Sequence, residues 1–243
     1  MKKKLLIIGA FMFAALASCK KNTLQTASPI TSADVANMVS GSLSANSGGL
    51  TTMTSDVAVK AQTTVCGSAK ADSATHQSET NATTRYYYKY KILNTLNCNT
   101  NNQADNITSA LSFSGYFNSP SLFITASGSS NFTLAGLTQQ ATVYTYNGEF
   151  KSTAAYKLKR DTLNSGTVNI DLVVKGLVIT KSSVTSPSGI TAGTATVTIT
   201  GTSKNGAINF TGTLAYNNTG TATLVLTGTT YVIDLITGIV TKQ

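Results

Sequence analysis

The sequence predicts a mainly β protein, a strongly curved antiparallel β-meander, barrel-like or folded into a sandwich, with an N-terminal helix. Three observations carry this expectation. Apolar and hydroxyl residues alternate through the C-terminal third, as Ala195, Val197 and Ile199 do against Thr194, Thr196, Thr198 and Thr200. A period of two gives each strand one dry and one wet face. The chain is also rich in Ser and Thr, and only 11% of its residues are charged. Threonine suits a wet sheet face, and the shortage of strong helix formers disfavours long helices. Thirdly, an apolar–x–apolar–x–Gly pattern recurs, ending at Gly115, Gly128, Gly148, Gly176, Gly201, Gly212 and Gly228. Gly115, Gly148 and Gly212 are followed in phase by Phe117, Phe150 and Leu214. Such glycines lie inside strands, where they permit twist, a bulge or close backbone approach. Gly201 and Gly228 are expected to mark strand ends. The spacing is too irregular for a solenoid repeat.

Residues 1–18 read as a signal peptide. Lys2, Lys3 and Lys4 precede an apolar run from Leu5 to Leu16, and Leu16-Ala17-Ser18-Cys19 closes it. The order basic, apolar, small is that of a secretory signal. The apolar run is too short to cross a hydrocarbon core of about 30 Å comfortably. With a cysteine at the cleavage point, the segment resembles a bacterial lipoprotein signal with its lipobox. The Asn-, Thr- and Ser-rich body resembles envelope lipoproteins of the Bacteroidota type. The resemblance implies cleavage before Cys19, a diacylglycerol thioether on its sulfur and a fatty acyl group such as palmitate on its new amino group. Two or three acyl chains give lasting attachment. Lys20-Lys21-Asn22-Thr23 follow, without the aspartate that retains such proteins in the inner membrane. The expected location is therefore the outer membrane, on the periplasmic side rather than the surface. The resemblance supplies no functional residue beyond Cys19.

Residues 19–31 read as a polar, lipidated tether containing Pro29. Residues 32–62 read as a helical segment. Thr31 or Ser32 can cap it, Asp34 suits the first turn, and Val35, Met38, Val39 and Leu43 share one face. Gly48-Gly49 ends that helix. Leu50, Met53 and Val57 repeat the helical spacing, against threonines that weaken the signal. Both stripes are expected to dock on the sheet. Residues 63–243 read as the β domain, with period two evident from Arg85. Tyr86, Tyr88, Tyr90 and Ile92 fall on one face, Tyr87, Lys89 and Lys91 on the other. An Asn-rich loop is expected over 94–106. Val168, Ile170, Leu172 and Val174 point inward, with Asp171 outward. Asn205-Gly206 signals a type I′ hairpin, and Asn217 to Gly220 another turn. Ile208, Phe210, Leu214 and Tyr216 form one inward set. Ala222, Leu224, Leu226, then Tyr231, Ile233 and Leu235, form the next.

Lys and Arg number 18 against 9 Asp and Glu. Without Lys2, Lys3 and Lys4 the balance is 15 against 9, near +6. Such a surface attracts anionic headgroups or acidic glycans, or is simply solvated. Nucleic acid is not an expected partner outside the cytoplasm. With Cys19 lipidated, Cys66 and Cys98 have one possible pairing, and an oxidising compartment favours the disulfide. His76 is the sole histidine, and the 94–106 segment holds one carboxylate, Asp105, so neither a metal nor a cofactor is expected. There is no G-x-S-x-G elbow and no H-E-x-x-H.

The best binding candidates are Tyr86, Tyr88 and Tyr90. Flanked by Arg85, Lys89 and Lys91, their rings could stack on sugars or face acidic groups. The competing reading puts the tyrosines in the core and the lysines in water. Asp72-Ser73-Ala74 and Asp161-Thr162-Leu163 resemble O-glycosylation acceptors of Bacteroidota. The expected function is that of a membrane-anchored envelope lipoprotein, not an enzyme, with a structural or binding role. Two alternatives stand beside it. One is a carrier of an apolar small molecule in a lipocalin-like curved sheet, which needs an open-mouthed interior. The other is a glycan-active hydrolase, which needs a cleft with two carboxylates.

Overall fold

The computed structural model describes residues 28–61, 65–138, 141–181 and 189–243. Cys19 lies outside them. Helix α1 (Ser32–Leu43) leads through a short 3-10 turn (Ala45–Ser47) into α2 (Leu50–Ala61). The strands follow: β1 (Ala69–Gln77), β2 (Arg85–Cys98), β3 (Ala104–Asn118), β4 (Leu122–Ala135), β5 (Val143–Leu158) and β6 (Ser165–Thr180). Then come β7 (Ile190–Ser203), β8 (Gly206–Asn217), β9 (Thr221–Leu226), β10 (Thr229–Asp234) and β11 (Val240–Lys242). They form one 11-stranded antiparallel sheet in which spatial order equals chain order. Among the described residues β1 and β11 share no ladder, so the sheet is not closed. Helix α1 nevertheless touches β4 and β9 to β11, while α2 touches β2 and β5. A single sheet whose two halves meet the same helical hairpin must curl around it. The expected curved meander is thus present, and its concave face holds the core.

The helices form where the sequence permits. Thr31 caps α1 in a reciprocal box with Asp34, which satisfies two otherwise orphaned donors. Val35, Met38, Val39 and Leu43 are fully buried. Leu50, Met53 and Val57 make α2 real despite its threonines. The Thr54 hydroxyl donates back to Leu50 O at 3.0 Å and the Ser55 hydroxyl to Thr51 O at 3.1 Å. Their polar groups are thereby satisfied within the helix. The connection between the helices is pinned to the end of the sheet. Ala45 N–H donates to Leu235 O and Asn46 N–H to Ile236 O, both at 2.8 Å.

The recurrent glycines have a specific role. Tyr88 stands opposite Gly115, Phe113 opposite Gly128 and Phe132 opposite Gly148. In each pair the ring lies across the glycine. A Cβ on Gly128 would fall 2.5 Å from Phe113 Cζ, and one on Gly115 would fall 2.7 Å from the Tyr88 ring. The missing side chains let large rings lie low on the concave face, leaving depth for the helices. Gly201 belongs to β7 rather than its end, and Gly228 sits in the β9–β10 turn with φ +82°. Register shifts beside Gly148 in β5 and around Gly176 in β6 mark a bend across neighbouring strands. Gly176 has φ +58°, a conformation glycine adopts without strain.

One expectation is corrected. The 94–106 loop shrinks to residues 99–103, because β2 continues to Cys98 and β3 starts at Ala104. Asn97 Nδ2 donates to Asn106 Oδ1 across the ladder at 2.8 Å, so asparagines here serve as cross-strand partners. Strand β1 was not evident from periodicity, since its sequence is nearly all polar or small. It is recruited by full-length pairing with β2. The Cys66–Cys98 disulfide is present, with Cα atoms 5.8 Å apart, and ties the approach to β1 onto the end of β2.

Gly128→Ala should lower the unfolding free energy by about 1–3 kcal/mol through overpacking, read by chemical denaturation. Reducing the disulfide, whose partners lie 32 residues apart, should remove about 3–4 kcal/mol in the chain-entropy model. An unchanged urea midpoint on reduction would show that the bridge constrains nothing.

Candidate functional site

The curved sheet offers two surfaces, and the hairpin occupies the first. Tyr88 and Tyr90 are only 4% and 1% exposed. They point into the concave face, where a Cβ on Gly48 would meet the Tyr88 ring at 2.7 Å. The Tyr90 hydroxyl donates to Gly48 O, and the Tyr146 hydroxyl to Thr54 O at 2.6 Å. Burial raises the pKa of Tyr88, Tyr90 and Tyr146 far above the ordinary phenol value, so these hydroxyls remain donors. Tyr86 is half-buried on the same phase. Of the three candidate tyrosines, two are therefore core residues. Beneath the hairpin, the space lined by Gly48, Met53, Phe113 and Phe150 among others is about 10 Å³. That is at most one water's worth of space.

Charged pairs fasten the rim of the hairpin. Arg160 clamps Asp34 through Nε at 2.9 Å and Nη2 at 2.6 Å. Burial pushes the Asp34 carboxyl up, but hydrogen bonds from Arg160 and Thr31 outweigh it and hold the pKa below the ordinary value. On the other side α2 meets β1. Asp56 pairs with His76 Nε2 and Lys60 with Asp72, each at 2.7 Å. These residues repeat at i and i+4 on the helix and face matching positions on the strand. That explains how so polar a strand finds its place. His76 is thus committed to α2. No group of three or more His, Cys, Asp or Glu that could hold a metal occurs among the described residues.

The second surface is convex. Across the outer face of β2, β3 and β4 runs a strip of three rings. Tyr87 and Tyr116 are register partners with centroids 6.4 Å apart and planes 24° apart. Phe123 follows 6.3 Å from Tyr116. Tyr116 and Phe123 are each 38% exposed. Lys89 Nζ stands 5.6 Å from the Tyr87 ring centroid, within cation–π range, and Lys157 is the cross-strand partner of Phe123. Neither Tyr116 nor Phe123 announces itself in the sequence. Both lie on the outward phase, visible only once each strand's inward set is fixed and neighbouring outward positions are aligned. Of the two possible glycosylation acceptors, Ser73 lies outward on β1 and Thr162 is exposed in the β5–β6 turn.

No family model, curated protein or solved structure matches this chain.

The Asp56 hydrogen bond and charge raise the His76 pKa above 6.5, against the lowering effect of burial. The protonated pair therefore stabilises the fold fully below that ordinary value and loses its contribution as pH rises through the folded value. Unfolding free energies of the protein and of His76→Gln, measured from acid to alkaline pH, should converge as pH rises. A constant difference would dissociate His76 from the latch.

Proposed function

We propose that this chain is a membrane-anchored envelope lipoprotein whose β module has a binding or structural role and performs no catalysis. The observation that carries the reading is the occupied interior. The middle of the concave face, which a carrier would keep open for its ligand, is covered by the chain's own hairpin, with about 10 Å³ left between Gly48, Met53, Phe113 and Phe150. Binding capacity then falls to the outer surface, where half-exposed rings and lysines stand together. The lipobox Leu16-Ala17-Ser18-Cys19 supplies the anchoring part of the reading.

The test is mass spectrometry of the protein extracted from membranes of its native host. Cleavage before Cys19 with acyl chains on that residue is the expected result, and Cys19→Ser should move the protein to the soluble fraction. An unmodified Cys19 would overturn the anchor. Native mass spectrometry of the same preparation should give the mass of the polypeptide and its acyl chains alone. A tightly retained small molecule would turn the reading toward the carrier.

A further inference from the structure

Exposed apolar and cationic groups gather at one end of the sheet. Register alignment places Arg85 beside Asn118, Asn118 beside Phe123, Phe123 beside Lys157 and Lys157 beside Ser165. The three-ring strip lies along this end. Lys159 is in the adjoining turn, its N–H donating to Ser121 O at 2.9 Å. Ile239, 64% exposed, lines a cavity of about 220 Å³ here with Pro120 and Ser121. The outward positions of β1 to β5 at this end carry Arg85, Lys89 and Lys157 and no carboxylate. The acidic groups nearby are otherwise engaged or lie in turns. Asp34 is clamped by Arg160, Asp161 accepts from Ser28 N–H at 2.7 Å, and Glu79 stands in the β1–β2 turn.

The described chain begins at the same end. Ser28 is fixed to the β5–β6 turn through Asp161 and Asn164. Cys19 precedes Ser28 by nine residues, a segment that spans about 30 Å at full extension. An acylated Cys19 would therefore hold this end, and no other, close to the bilayer.

We infer that the convex strip Tyr87–Tyr116–Phe123, with Arg85, Lys89, Lys157 and Lys159, docks the module onto an anionic lipid surface. This inference rests on the anchored reading for its orientation. The chemistry fits an interface: tyrosine rings favour the headgroup level, lysines extend to phosphates, and Phe123 and Ile239 have apolar tips to insert. Two contacts follow, a covalent anchor and a reversible face. The second turns a swinging module into one lying in a fixed orientation.

The experiment uses the chain carrying Cys19→Ser, so that no acyl group contributes. It is mixed with vesicles of phosphatidylglycerol and phosphatidylcholine, or of phosphatidylcholine alone, and sedimented. Binding to the anionic vesicles, weakening as salt rises, is expected. Lys89→Glu with Lys157→Glu should weaken it by about tenfold or more. Lys175→Glu with Lys242→Glu, an equal change of net charge elsewhere, should have a much smaller effect. Tyr116→Ser with Phe123→Ser should weaken binding and leave the circular dichroism spectrum unchanged. Equal loss in both charge pairs, or no vesicle binding at all, would overturn the proposal. So would binding to polygalacturonate in preference to vesicles, which would assign the strip to an acidic glycan. Since this protein is unacylated, failure here leaves the lipid anchor standing. An unmodified native Cys19 would leave the docking face standing.

Discussion

Tyr88 is held between two glycines, Gly115 of β3 beneath it and Gly48 of the helical connection above it. That stack sets the depth of the whole interior. A helix packs on a sheet only if the side chains between them fill the gap without overfilling it. Here the filling consists of large rings laid across residues with no side chain, repeated at Phe113 over Gly128 and Phe132 over Gly148. The helices reciprocate, since a Cβ on Gly41 would meet the Phe117 ring at 3.1 Å. Curvature, the low-lying rings and the seated hairpin are thus one packing solution.

The same solution decides where chemistry is available. With the hollow of the sheet consumed by the protein itself, Tyr88, Tyr90 and Tyr146 act as core residues, and the hydroxyls of Tyr90 and Tyr146 donate to Gly48 O of the connection and Thr54 O of α2. Ionic groups are used at the seam, where α1 and α2 meet β1 and the β5–β6 turn. A half-exposed pair contributes modestly to stability, but its directionality matters here. Asp56 and Lys60 select the register of a strand that has almost no apolar pattern of its own. What remains for recognition is the outside, and there rings and cations are concentrated at one end.

The legibility of this chain follows the strength of the hydrophobic signal. From β6 to β10 most inward residues were readable, because apolar and hydroxyl residues alternate with few interruptions; Leu177, Ile179 and Ile190, past the register shift at Gly176, were not. Phe210, half-buried, departs from an otherwise buried set. The helix over Ser32–Leu43 announced its own cap, and Cys66 and Cys98 pair as the cysteine count led one to expect. Strand β1 was not readable, since its stabilising partners are a helix and a neighbouring strand rather than its own pattern. The asparagines of 94–106 looked like a loop because asparagine usually breaks strands, whereas here their amides bond across one. The candidate site was half legible. The sequence put Tyr86, Tyr88 and Tyr90 on one face and Tyr87 on the other. Only the alignment of β2 with β3 and β4 brings Tyr87 to Tyr116 and Phe123.

The connectivity also sets an order of assembly. Every strand pairs with the one made just before it, so the sheet can grow like a zipper by local steps. The hairpin obeys a different clock. Ser32 bonds to Tyr231 across 199 residues, and Ser40 to Gly238 across 198. The helices are synthesised before any strand yet find their last partners only when β10 and its following turn exist. Until then their apolar stripes stay uncovered, and that interval is when a chaperone has something to hold.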